Sequence, residues 1–234
     1  MTAIVLPRPG ESQPSGSRDA RWAVAAALTA WFLLVVSLGA AGAFLGPPRT
    51  PPVAMAVGVA APLLLFVASL RLSQSFRAFV LSLDLRLVTA IQAWRWAGLG
   101  FLSLYAHNVL PAVFALPAGL GDMLIGGTAP WVILALLRQP DFAASTAYIR
   151  WNLLGILDLI VALSIGTLNA LFATRAVGEI STVPMATLPL LLIPAFLVPL
   201  FLMLHIAALL QSRELRRSRS ASLHTSCKST GATC

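Results

Sequence analysis

Arg150–Phe172, RWNLLGILDLIVALSIGTLNALF, is the stretch whose reading decides the fold. At about 1.5 Å of rise per residue it is long enough, as a helix, to cross a hydrocarbon core roughly 30 Å thick. It nevertheless carries Asn152, Asp158 and Asn169 within an apolar run. A carboxylate at the centre of a membrane helix costs roughly 2.5–3.5 kcal/mol even on insertion scales, so it calls for a partner and marks a candidate site.

The rest of the chain reads the same way. It has 234 residues, 58% of them hydrophobic and only 10% charged, against about 25% charged in a soluble domain. Its mean hydropathy is +0.86. The net charge of +8 does not mark a nucleic-acid binder, because the charges lie in the segments between apolar runs. Both cysteines, Cys227 and Cys234, lie in the C-terminal tail. The body therefore has no disulfide framework and no cysteine-based metal site.

Working outward from Arg150–Phe172, the sequence predicts an all-α integral membrane bundle of six transmembrane helices. The spans fall at about 22–45, 53–70, 94–110, 118–137, 150–172 and 187–210. Residues 1–21, rich in Pro, Gly and Ser, read as a disordered cytoplasmic arm. Residues 211–234 read as a disordered, basic cytoplasmic tail. Residues 72–92 hold Arg77, Asp84 and Arg86, with Phe76, Phe79, Val80, Leu83, Leu87 and Ile91 at helical spacing. That pattern predicts one amphipathic helix lying on the cytoplasmic membrane surface. LPAGLGD, ending at Asp122, reads as a tight reversal between the third and fourth spans. With six spans, 14 of the 16 Lys and Arg residues fall on one side and Arg49 and Arg175 on the other. This places both termini in the cytoplasm by the positive-inside rule.

The three outward-running spans each begin Arg-Trp, at Arg21-Trp22, Arg95-Trp96 and Arg150-Trp151. RWAGLGFLSL and RWNLLGILDL share six of ten positions. Repeated helical hairpins of common descent would produce this. So would the separate preferences of Arg for the cytoplasmic face and Trp for the headgroup belt.

Candidate chemistry follows from depth. Asp158 lies eight residues past Arg150, and His205 eight residues before Arg213. Each is therefore about 12 Å from the same face. The fifth and sixth spans are consecutive and antiparallel, so the two side chains are expected to face each other, with Asn152 and Arg95 nearer the cytoplasmic mouth. Such a pair passes a proton or, alternatively, only holds two helices together at about 1 kcal/mol. Asn169, eleven residues past Asp158, points within roughly 20° of it. A second, outer cluster is expected from Tyr105, His107, Asn108 and Asp122. Pro194 and Pro199 are expected to leave helix carbonyls unpaired. No HExxH, phosphate-binding loop or GxSxG motif is present. No cofactor and no metal are expected. A bis-histidine haem needs two histidines at one depth and is not expected, since His107 reads as outer and His205 as inner.

The segments IQAWR from Ile91, GLGFL, LPAVFALPAGLGD and TAP (Thr128–Pro130), with the later WNLLGILDL and LIPAFLVPLFLMLHI, resemble a group of small multi-pass bacterial inner-membrane proteins of unassigned function. The resemblance covers about residues 90–210 and carries over no functional residue. The functional expectation is a protein that moves or senses a small solute or protons, with the lipid bilayer as its surroundings and no nucleic-acid partner. The alternatives are a membrane-embedded enzyme or an accessory subunit of a larger membrane complex. The sequence leaves open a homo-oligomer or a membrane partner.

Overall fold

The computed structural model of the chain describes residues 15–139, 141–174, 176 and 178–230, and side chains between residues 21 and 220. Residues 1–14 of the expected arm, with Arg175 and Cys234, lie outside the described residues. The described chain is helical and contains no strand. In order it forms α1 (Ser15–Ala40), α2 (Val53–Leu72), α3 (Gln74–Leu81), α4 (Leu85–Gln92), a 3-10 segment (Ala93–Gly98), α5 (Leu99–Ala106), α6 (Ala112–Arg138), α7 (Thr146–Phe172) and α8 (Val198–Thr230). A π-helical turn, Ile193–Leu197, leads into α8.

Among the described residues, five helices are long and apolar enough to cross a membrane: Arg21–Ala40, Val53–Leu72, Ala112–Arg138, Thr146–Phe172 and Ile193–Ser220. Large apolar side chains face outward along them, among them Leu64, Leu65, Leu124, Trp131 and Leu157. A surface of this kind needs an apolar solvent. The bundle core is small. Phe101, Leu110, Phe114, Ala118 and Met185 pack at one end. Val88, Leu136, Tyr148 and Ala208 pack at the other, and Leu159, Val198, Phe201 and Leu202 lie between α7 and α8.

The expected surface helix over 72–92 is not one helix. It starts at the Ser73 cap and breaks at Ser82–Asp84, where Asp84 caps a second helix. The Ser73 Oγ accepts from Phe76 N at 3.2 Å, and the Asp84 carboxylate accepts from Arg86 N at 2.8 Å. Each satisfies an orphan donor of a new helix start. Only α3 remains separate. From Leu85 the chain is helical without interruption through Ala106. The expected third span, 94–110, is thus replaced by a rod of α4, the 3-10 segment and α5, about 36 Å long at the usual rises.

That rod is wound tightly in its middle for a visible reason. Thr89, Gln92, Arg95, Gly98 and Phe101 are all buried, at strict three-residue spacing. On an α-helix every third residue drifts by about 60°, whereas 3-10 winding keeps such residues in line. The stripe packs closely on α6. A Cβ on Gly98 would stand 2.8 Å from the Gly119 carbonyl oxygen, and one on Gly119 would stand 2.9 Å from the Gly98 oxygen. Gly126, two turns beyond Gly119, lies against the backbone of Arg95 and Trp96. Arg95-Trp96 therefore sits mid-rod, with Arg95 buried and Trp96 exposed, at a different depth from Arg150-Trp151 near the start of α7. The Arg-Trp repeat does not put its arginines at one level.

Helix α6 begins at Ala112, after Pro111, and runs straight through Pro117, Gly119 and Gly121. LPAGLGD is helix rather than a reversal, and Asp122 lies ten residues inside. Helix α7 begins at Thr146, where the Ser145 hydroxyl accepts from Tyr148 N at 3.1 Å. The last helix starts later than expected and runs to Thr230 instead of stopping at Leu210. At Pro194 the carbonyl of Leu190 is not left open, since Ile193 N donates to it at 3.0 Å.

The two ends of the bundle differ. At one end α3, the 141–145 loop and the extension of α8 are tied together. Arg77 pairs with Glu214 at 2.6 Å, and Arg216 Nε donates to the Ala144 oxygen at 2.7 Å. Gln211 Nε2 donates to the carbonyls of Val80 and Leu83, which closes the end of α3. At the other end lie the 46–52 connector, the 107–111 turn and the loop after α7.

Candidate functional site

Three charged residues meet half-way along their helices. Arg95 comes from the middle of the rod, Asp122 from α6 and Asp158 from α7. Arg95 Nε donates to Asp122 Oδ1 at 2.7 Å, and Nη2 donates to Asp158 Oδ2. Nη1 donates to the Gly155 carbonyl at 3.2 Å and lies 3.3 Å from His205 Nε2. The arginine side chain is fully buried, while the two carboxylates keep 17% and 16% of their surface. Planar geometry and five N–H donors let one guanidinium serve four partners, which a lysine does not reproduce.

Glycines admit this cluster. A side chain on Gly155 would collide with the His205 ring, and one on Gly121 with the Asp158 carboxylate. Both positions need bare backbone because a polar group occupies the volume of a Cβ.

From His205 a second chain of hydrogen bonds runs toward the end that holds α3. His205 Nδ1 lies 2.9 Å from Asn152 Oδ1, and Asn152 Nδ2 donates to the Tyr148 carbonyl at 2.9 Å. With the amide nitrogen so used, Asn152 Oδ1 accepts from His205 Nδ1–H. His205 Nε2 is then the acceptor for Arg95 Nη1. The Tyr148 hydroxyl is 3.2 Å from Thr89 Oγ1. Arg95, His205, Asn152, Tyr148 and Thr89 are all buried. Trp151 lies edge-on to His205 at 5.7 Å, and its Nε1 donates to Thr128 Oγ1 at 2.9 Å. Gln92 donates from Nε2 to the Phe201 carbonyl at 3.3 Å, but its buried Oε1 has no partner among the described residues.

Toward the opposite end lies a cavity of about 100 Å³. Phe101, Phe114, Leu159, Ala162, Leu163 and Val198 form much of its wall, and Gly46, Thr50, Pro52 and Thr182 line it at the far end. Among the described residues, Asp122 is the one ionisable residue that lines it.

The expected site residues therefore sort as follows. Asp158, His205, Asn152 and Arg95 come together. However, Asp158 and His205 meet through Arg95 and not directly, and Arg95 lies at mid-depth instead of at a mouth. Asp122 leaves the expected outer cluster, because α6 starts earlier than the turn-like sequence implied. Tyr105, His107 and Asn108 stay at the end of the bundle away from α3. His107 Nδ1 lies 2.8 Å from the Ser103 oxygen, at the end of α5, and Asn108 takes a φ of 57° in the turn that follows. Asn169 does not join the ionic centre. Its Oδ1 accepts from Thr182 N at 2.8 Å, and Thr182 Oγ1 donates to the Gly166 oxygen at 2.7 Å, which pins the loop at the cavity mouth. Tyr148, Thr89, Gln92 and Gly155 were not anticipated. The three-residue spacing of Thr89, Gln92 and Arg95, and the four-residue step from Tyr148 to Asn152, are the signals that would have found most of them. No three His, Cys, Asp or Glu side chains converge as a metal-donor set among the described residues.

An all-helical chain with helices of membrane-spanning length, wrapped around a buried arginine with two carboxylates, fits a membrane protein with an internal polar centre. The chain belongs to the family described as a domain of unknown function, DUF8737, which matches residues 52–212. That range contains every residue of the polar centre and leaves α1 outside. No curated protein and no solved structure matches the chain.

Proposed function

We propose that this chain is a bacterial inner-membrane protein that moves or senses a small solute or protons. The observation that carries this reading is a charge imbalance at mid-depth. Arg95 supplies one positive charge to two carboxylates, Asp122 and Asp158. Ionised, the centre is one positive charge short, and a group in an apolar bundle needs that charge answered. The cavity supports access from one end, since it reaches Asp122. The buried chain from His205 to Thr89 supports closure toward the other. An open half and a sealed half around a mid-depth site are what alternating access requires.

Two alternatives are less well supported. A membrane-embedded enzyme would gather its acids and histidine at a membrane face, whereas this cluster lies half-way along the helices. An accessory subunit would present small residues outward. Here Gly98, Gly119, Gly121, Gly126 and Gly155 are consumed inside the bundle.

The proposed topology has six crossings, with the Leu85–Ala106 rod as the third. Its buried charge, Arg95, is answered within the bundle by Asp122 and Asp158, which lowers the cost of burying it. Taking Arg95 out of the loops changes the Lys and Arg distribution from 14 against 2 to 13 against 2. Both termini then face the cytoplasm. A reporter fused after Cys234 is expected to be active only in its cytoplasmic form. Activity of a periplasm-specific reporter there would overturn the topology.

The functional test is reconstitution in vesicles containing a pH-sensitive dye, under an imposed proton gradient. Asp158→Asn keeps the shape of the side chain and removes its charge. The variant is expected to insert normally and to lose at least tenfold in any proton movement or gradient-driven uptake of the native protein. Unchanged rates in Asp158→Asn would remove Asp158 from the mechanism.

A further inference from the structure

We infer that the cavity ending at Asp122 takes a small organic monocation, an alkylammonium with an apolar body of about four carbons. This rests on the proposed role of the polar centre and names the class of solute it admits. Three observations carry it. First, Arg95 Nε engages one oxygen of Asp122, 17% of the Asp122 side chain stays exposed, and the residue lines the cavity. Second, the cluster as a whole is short of one positive charge, and His205 does not supply it, because its Nε2 accepts from Arg95 and its Nδ1 donates to Asn152. Third, most of the remaining wall is apolar: Phe101, Phe114, Leu159, Leu163 and Val198 offer no partner to a second polar group, and Thr50, Thr167 and Thr182 are its other polar side chains among the described residues.

Size and chemistry then set the ligand. An engineered apolar cavity of about 150 Å³ holds benzene, so about 100 Å³ suits a smaller body. An anion is rejected by Asp122, and a neutral polar solute finds too few hydrogen-bond partners along the wall. A bare metal cation would lose its hydration for a single carboxylate and no other charged ligand. An ammonium head needs one carboxylate, and its alkyl chain gains by leaving water at about 0.8 kcal/mol per CH₂.

The test uses the full chain in lipid nanodiscs, titrated with n-butylammonium chloride while thermal unfolding is followed. Butylammonium is expected to raise the unfolding midpoint in a saturable way. Butan-1-ol at the same concentration, and sodium chloride at the same ionic strength, are expected not to. Asp122→Asn is expected to weaken butylammonium binding at least tenfold. Ala162→Met, which fills the wall and changes no charge, is expected to weaken it as well. This second variant decides the matter if Asp122→Asn does not fold. Equal stabilisation by butan-1-ol, no stabilisation at all, or indifference to both substitutions would overturn the inference. Proton movement that depends on Asp158 without any butylammonium binding would overturn this inference while leaving the proton reading of the centre intact.

Discussion

Arg95→Gln is expected to cut sharply the yield of folded, membrane-inserted protein and to lower its thermal midpoint more than any other single change at the centre. The substitution leaves Asp122 and Asp158 facing each other's charge in a bundle with no cation to answer them. Removing one partner of a buried ionic group typically costs 3–5 kcal/mol, because the remaining charge stays buried and uncompensated. It also takes donors away from the Gly155 carbonyl and His205 Nε2. The prediction has an internal check. Adding Asp122→Asn and Asp158→Asn to Arg95→Gln makes the centre neutral with similar shapes, so fold and yield are expected to recover while transport or sensing stays lost. Size-exclusion profiles and melting of the three proteins in one detergent measure this. A single Arg95→Gln variant as stable as the native chain would mean that the guanidinium is not what holds the acids in place.

The second large effect is steric. Gly126→Ala is expected to destabilise the bundle although alanine is the better helix former. Its Cβ would press into the backbone of Arg95 and Trp96, which cannot rotate away as a side chain can. Overpacking of a fixed core typically costs 1–3 kcal/mol. Because the clash falls on the residue that carries the guanidinium, the loss is expected to include function. Gly100→Ala is the control. A Cβ there meets nothing within 4 Å, and replacing glycine inside a helix should stabilise by roughly 0.5–1 kcal/mol. Equal melting of the two variants would show that the rod and α6 do not pack as described.

How much of this was readable beforehand depends on which physical rule governs each element. Helix α7 was legible over 150–172 because its apolar run is long, although its Ser145 cap starts it earlier, at Thr146. The nearness of Asp158, Asn152 and His205 followed from counting residues from the flanking arginines, which needs only a constant rise. The Leu85–Ala106 rod was not legible. Apolarity marks a helix by what lipid accepts, and Thr89, Gln92 and Arg95 are accepted by other helices instead. Asp122 was misplaced for a related reason. Pro117, Gly119 and Gly121 break helices in water, but inside an apolar bundle the backbone gains more by staying hydrogen-bonded, and there the glycines serve as contact surface. The partner of Asp158 was therefore sought on the neighbouring span, when it was Arg95, read as lying at the cytoplasmic mouth of the third span.

The tight winding of Ala93–Gly98 also has a mechanical side. Six residues at three per turn sweep about 120° more, and reach about 3 Å further, than the same six at 3.6 per turn. Each residue that changed its winding would twist the Phe101 half of the rod against the Thr89 half by about 20°. The rod is thus a torsion element whose pitch and whose alignment of side chains cannot be altered separately, and Arg95 lies within the turns that would have to slip.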